Sequence, residues 1–311
     1  MTRYTLSRLL QLAPVLLLIS IIIFAIMHLL PGDPAELMLA GAEGGATTPE
    51  RLVELRHEMG LDDPIVVQYL RFISHAVIGD LGTSLRFRVP VTELIMDRFA
   101  STLALALCGL GVALAIGVPL GMLAAMRQNG WIDTLTMSVS YIGASMPVYW
   151  LGLLLILLFS FTLTWFPPAG AEDWTALVLP SVTLGFVAAG LISRLIRSSM
   201  IEVLGEDYIR TGRAKGLSES TVVWRHGLKN ALIPVVTMVG LQFGGMLAGA
   251  VVTETVFSRP GLGRLVVGAI LSKDYPLVQG CVLFLAVVYL LVNLAVDLAY
   301  AWLDPRIRYH A

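Results

Sequence analysis

No Asp, Glu, Lys or Arg interrupts the run from Leu9 to Leu30, and five further long apolar runs follow it. This constrains the fold more than any other property of the chain. A stretch of about 20 apolar residues crosses a hydrocarbon core of about 30 Å only as a helix, because lipid offers the backbone no hydrogen-bonding partner. The runs predict six membrane spans, at about Leu9–Leu30, Ala100–Met126, Ile132–Phe166, Leu177–Ile196, Leu232–Phe257 and Gly280–Leu303. The fold class is therefore all-α, a polytopic membrane protein. Composition agrees, with 57% hydrophobic and only 14% charged residues, against about a quarter charged in soluble chains.

Arg3 and Arg8 before the first run resemble a secretory leader, but the run is long and no small-residue cleavage site follows, which predicts a retained span. Pro31-Gly32-Asp33-Pro34 ends that span, since proline removes a donor and disfavours helix before it. The polar segment that follows holds two amphipathic helices, at 49–61 and 65–79, suited to covering the bundle or meeting an external partner. The chain divides into 1–97, the first span plus a long extracytoplasmic segment, and 98–311, a five-helix core.

Six spans place both termini on one side. Arg3, Arg8, Arg127, the cluster Arg194, Arg197, Arg210, Arg213, Lys215, Arg225 and Lys229, and Arg306 and Arg308 fall on that side too, as the positive-inside bias expects of a cytoplasmic face. Arg259, Arg264 and Lys273 in the loop 258–278 run against the rule, and a short helix folded back into the protein would hold them.

Several residues within the spans carry candidate roles. Ser145 and Pro147 break the third run, either as a packing kink or as a pointer to a conduit. Gly240, Gly244, Gly245 and Gly249 form overlapping G-x-x-x-G pairs, which suit close helix packing, a second membrane subunit or the pathway itself. Asn293, Asp297 and Tyr300 share a face, and the Asp297 carboxylate is expected to form a structural ion pair with Arg194 or Arg197. Glu254, near the end of its span, is expected at the interface. Cys108 and Cys281 have no ligand spacing and the histidines no metal pattern, so no metal site is expected. No P-loop and no catalytic constellation occurs, which argues against an enzyme and leaves no nucleotide bound by this chain.

The polar stretch from Ser198 to Thr237 stands between two spans. Gly216 can take φ > 0 and turn the chain tightly between two short helices. Ser218 is placed to cap the second helix, with Val222, Val223 and Leu228 beneath it and Arg213 and Lys215 exposed for a partner's carboxylates. Such a segment would act as a rigid lever.

Glu206-Asp-Tyr-Ile-Arg-Thr-Gly-Arg-Ala-Lys-Gly216-Leu-Ser resembles the cytoplasmic EAA loop of permease subunits of ATP-binding-cassette importers of the dipeptide/oligopeptide/nickel class. Leu30–Pro34, Gly79–Ser84 with Pro90-Val91, Arg225–Ala231 with Pro234, Phe257–Gly263 and Asp304–Arg308 match that class in order. The Glu-Ala-Ala of the loop's name is here Arg210-Thr211-Gly212. The resemblance implies a type I importer permease fold and half of a pathway for dipeptides or oligopeptides working by alternating access, with glutathione or a nickel chelate as alternative cargo. The region Trp165–Trp174 is similar to glutathione-type permeases. Implied partners are a second homologous permease, two cytoplasmic ATPases that bind the ATP, and an extracytoplasmic binding protein, in a bacterial or archaeal plasma membrane. Glu206, Asp207, Arg210, Arg213, Ala214, Lys215, Gly216, Leu217 and Ser218, within a coupling loop at about 198–234, are the implied ATPase contacts. A self-contained secondary transporter would instead carry mid-membrane ion-coupling residues and an inverted repeat, and neither is evident.

Overall fold

Long apolar runs free of internal breakers become long helices, and helix is the only regular structure among the described residues. The computed structural model describes residues 2–29, 35, 36, 39, 49–58 and 60–303. The Leu30–Pro34 stop, Met59 of the first amphipathic helix and the terminal Asp304–Arg308 motif lie outside them, as does the side chain of Tyr300. The helices are α1 (Thr2–Leu29), α2 (Pro49–Glu58), α3 (Ile65–Val77), α4 (Val91–Met126), α5 (Trp131–Ser145), α6 (Val148–Thr162), α7 (Val178–Gly205), α8 (Asp207–Ala214), α9 (Glu219–Val256), α10 (Leu262–Leu271) and α11 (Tyr275–Leu303). Five are long and apolar enough to cross a membrane, and α5 with α6 makes a sixth if the bent pair is one span.

Several boundaries differ from those expected, while the break in the third run falls where the sequence placed it. The second span begins at Val91 rather than Ala100, because the turns around Glu93 and Asp97 are helical although too polar to read as membrane. The fifth is the end of a helix that starts at Glu219 and runs on through Pro234. π-helical geometry over Val222–Leu228 precedes that proline. The third run breaks at Met146, which is extended, and the two halves diverge by 106°. That angle far exceeds a proline kink.

The described residues form two compact units. In the first, Met1–Ser101 with Pro260–Leu291, Val91 and Ile95 of α4 pack with Leu262, Val266 and Ala269 of α10 and with Leu277, Val278 and Cys281 of α11. Asp274 ties this unit's loops together. Its buried carboxylate accepts from Ser84 Oγ, from the backbone N–H groups of Leu85 and Arg86 (both 3.1 Å), and from that of Leu277 (3.3 Å). Helix α10 packs into the unit through its apolar side, while of the cations in the loop 258–278 Arg264 and Lys273 are exposed and only Arg259 is buried.

The second unit is Thr102–Arg259 with Val292–Ala311, and α7 is its most buried helix. Small residues bring neighbours against it. A Cβ at Gly190 would lie 2.3 Å from the Ser140 carbonyl of α5, and one at Gly121 of α4 would lie 2.5 Å from the Ser193 carbonyl. Packing at backbone distance is how helices associate where lipid removes the hydrophobic drive.

Candidate functional site

Helix α7 ends at Gly205, and Glu206, in extended conformation, turns the chain into α8. Helix α8 is amphipathic. Ile209 is its buried anchor, while Glu206, Asp207, Arg210, Ala214 and Lys215 are exposed. Tyr208 fixes the other end of the contact: its hydroxyl accepts from Asn230 Nδ2 at 2.7 Å, joining α8 to the first turns of α9. Gly216 has φ +80° and open space around it, so glycine is required there by backbone conformation and not by crowding. Ser218 then caps α9, its Oγ accepting from the Thr221 N–H at 3.4 Å. Val222 and Val223 are buried beneath the turn and Leu228 partly so. Leu217 closes over Gly212 at the turn's inner edge.

Arg213 departs from expectation. Its guanidinium reaches across the turn to Glu219, with Nη2 to Oε1 at 2.7 Å and Nε to Oε2 at 3.1 Å. That hydrogen bonding raises the Arg213 guanidinium above its ordinary value. Arg213 thus clamps the two helices of the turn, Glu219 being the first residue of α9. Beside it an open cleft of about 590 Å³ runs between Arg127, Gln128 and Trp131 on one wall and Leu204, Arg213 and Val223 on the other.

Behind this segment α7 is clamped to α5. Arg197 donates from Nε and Nη2 to the two carboxylate oxygens of Asp133 at 2.6 and 2.7 Å, and Asp133 also accepts from the Asn129 N–H at 2.9 Å. A turn further along, Ser140 and Ser193 hydroxyls lie 2.6 Å apart, and Arg194 Cζ stands 5.2 Å from the centre of the Tyr141 ring. The pairing expected with Asp297 is therefore corrected: Arg197 is given to Asp133, and Arg194 to an aromatic face. Depth along the span permits either carboxylate, and lateral position, which sequence does not carry, selects Asp133.

The remaining candidates separate. A Cβ at Gly240 would meet Val296 of α11 at 2.1 Å, and one at Gly249 would meet Leu184 of α7 at 3.2 Å, so both glycines serve packing within the chain. Gly244 is buried, while Gly245 has open space around it. Ser145 and Pro147 are exposed on either side of the 106° break. Glu254 is corrected from an interfacial residue to a fully buried one that accepts from Thr102 Oγ1 at 2.6 Å. Arg259, nearby in sequence, is buried with no hydrogen-bond partner at Nε or Nη1 among the described residues. No grouping of three or more His, Cys, Asp or Glu among the described residues could hold a metal ion.

A span-flanked turn linked by side chains to α9 and continuous through Glu206 with α7 can pass a displacement to both helices. The family model "binding-protein-dependent transport system inner membrane component" matches residues 117–309, which include all of this element, and the corresponding N-terminal model matches residues 1–106. The chain belongs to this family of ATP-binding-cassette importer permeases. Its relatives include the glutathione transport system permease proteins GsiC of Salmonella paratyphi A, 47% identical over 309 residues, and of Escherichia coli strain K12, 46% identical over 310 residues. In each case 99% of this chain and 100% of the relative are covered. Among solved structures, two inward-facing forms of the MetNI methionine ABC transporter match with TM-scores of 0.60 and 0.56. They are 19% and 20% identical, and each match covers 68% of this chain and 96% of the other. The permease thus has the type I importer fold, is a multi-pass inner-membrane subunit, and is a transport component rather than an enzyme. Sequence reasoning missed Asp133, Tyr208 and Asn230. An acidic residue in the first turn of a span, at the depth of an arginine on another, was the signal available for Asp133.

Proposed function

We propose that this permease forms half of the pathway of an importer for glutathione, with a second, homologous permease forming the other half. The observation that carries this reading is the 46–47% identity, end to end, with glutathione permeases. Glutathione is a tripeptide, so the reading refines the peptide cargo expected from the sequence. A dipeptide or oligopeptide importer is the second reading, supported by the motif order shared with that class.

The segment from Glu206 to Ser218 is the contact edge for a cytoplasmic ATPase, one of two that bind the ATP, and the positive-inside bias of the basic residues around it supports a cytoplasmic side for both termini. An extracytoplasmic binding protein delivers the substrate. ATPase closure pushes α8, and the Tyr208–Asn230 and Arg213–Glu219 links carry the push into α9 while the chain through Glu206 carries it into α7. The test is uptake by proteoliposomes holding both permeases, the ATPases and the binding protein. ATP-dependent accumulation of labelled glutathione well above that of a dialanine probe is expected. Preference for dialanine would overturn the glutathione assignment and favour the second reading.

A further inference from the structure

Helix α3 contains no buried residue, yet it is far from polar. It lies across the end of α1. Tyr69 hydroxyl and Ser20 Oγ are 2.9 Å apart, Phe24 meets the Tyr69 ring edge-on at 5.4 Å and stacks on Phe72 at 6.1 Å, and Gln68 Oε1 lies 3.1 Å from His28 Nε2. His28 is at the last turn of α1, whereas Ser20 is nine residues before its final residue, about 13 Å down the helix axis at 1.5 Å per residue. The underside of α3 therefore reaches the depth of the apolar span.

The helix is wider in its apolar arc than α1 covers. At helical spacing Val66, Leu70 and Val77 fall together on one flank of the line of contact, and they are 67%, 57% and 80% exposed. On the other flank the polar groups are all engaged with nearby chain. Gln68 donates to the Leu61 and Asp63 carbonyls, Arg71 pairs with Asp63 at 2.6 Å, and His75 pairs with Asp80 at 2.9 Å. Leu17, Leu18, Ile21 and Ile22 of α1 are exposed as well, on a helix whose length and composition suit a membrane span.

We propose that α3 is an interfacial helix, seated in the membrane boundary at the Leu29 end of α1 with Val66, Leu70 and Val77 on phospholipid acyl chains and Arg71 and His75 toward water. Amphipathic helices lie in that boundary with the apolar face sunk about 5–10 Å. The depth that α3 reaches along the apolar length of α1, down to Ser20, favours acyl chains as the occupant. The helix then fixes the height at which the chain leaves the membrane on this side.

Nitroxide labels at Leu70→Cys, Val77→Cys and His75→Cys, in a cysteine-free background of the assembled transporter in lipid nanodiscs, test this by power saturation. ATPase stimulation by the binding protein verifies that each labelled transporter is intact. Oxygen is expected to relax the labels at 70 and 77 several-fold more effectively than a water-soluble nickel chelate, with the order reversed at 75. Nickel access at 70 and 77 equal to that at 75 would mean a water-facing helix and overturn the proposal. Exclusion of both reagents at 70 and 77 would mean that the second permease or another protein covers the flank, and would overturn it equally.

Discussion

At the scale of single residues, the two ion pairs around the coupling segment differ in what they contribute. Asp133 is 4% exposed and its arginine partner only partly so. Removing one member of a fully buried pair costs about 3–5 kcal/mol, because the other charge stays behind without its counter-charge. Arg197 retains some solvent, so Asp133→Asn is expected to cost about 3 kcal/mol, at the lower edge of that range. Thermal melting of the purified permease pair should show the loss, and the reciprocal exchange Asp133→Arg with Arg197→Asp should restore part of it. A melting point unchanged by Asp133→Asn would remove the structural role. The Arg213–Glu219 pair is largely in water, where such pairs contribute little. Glu219→Gln should leave the same melting curve almost unmoved, and a shift as large as that of Asp133→Asn would mean that the turn depends on the clamp for its folding.

At the scale of elements, apolar run length carried most of the fold. It located the spans because lipid leaves the backbone a single solution. Helix ends were less legible, since a helix does not stop where hydropathy does: α4 begins in charged turns and α9 passes through a polar segment and a proline. In the coupling segment, Gly216 and Ser218 were legible because turn chemistry is local. Asp133 and Asn230 were not, since each is chosen by a helix distant in sequence. The glycines of α9 illustrate the same limit, as one motif covers two environments. Gly240 lies hard against the Val296 side chain and Gly245 faces open space. An added methyl where there is no room costs about 1–3 kcal/mol. Gly240→Ala should therefore lower the melting point of the purified pair, with Val296→Ala returning most of it. Gly249→Ala, against the tip of a leucine, should cost less. If Val296→Ala fails to compensate, the two helices do not meet as described.

At the scale of the whole molecule, the question is whether the turn at Gly216 transmits force or only connects two helices. A positive φ costs a residue with a Cβ about 1–2 kcal/mol, more where the side chain is β-branched, while asparagine tolerates it. No atom within 4 Å of the Gly216 site would obstruct a side chain, so substitutions there test conformation alone. Gly216→Val should leave the protein inserted and its partners' basal ATP hydrolysis running, yet strongly reduce uptake per ATP, because the angle between α8 and α9 is no longer held. Gly216→Asn should keep most of the coupling. A flexible connector would give equal uptake for glycine, asparagine and valine, and that outcome would end the lever interpretation. Loss of ATPase assembly in Gly216→Val but not in Gly216→Asn would place the defect in docking instead. Uptake and hydrolysis measured on the same proteoliposomes separate the three cases, since only the lever predicts hydrolysis without transport for valine and both activities for asparagine.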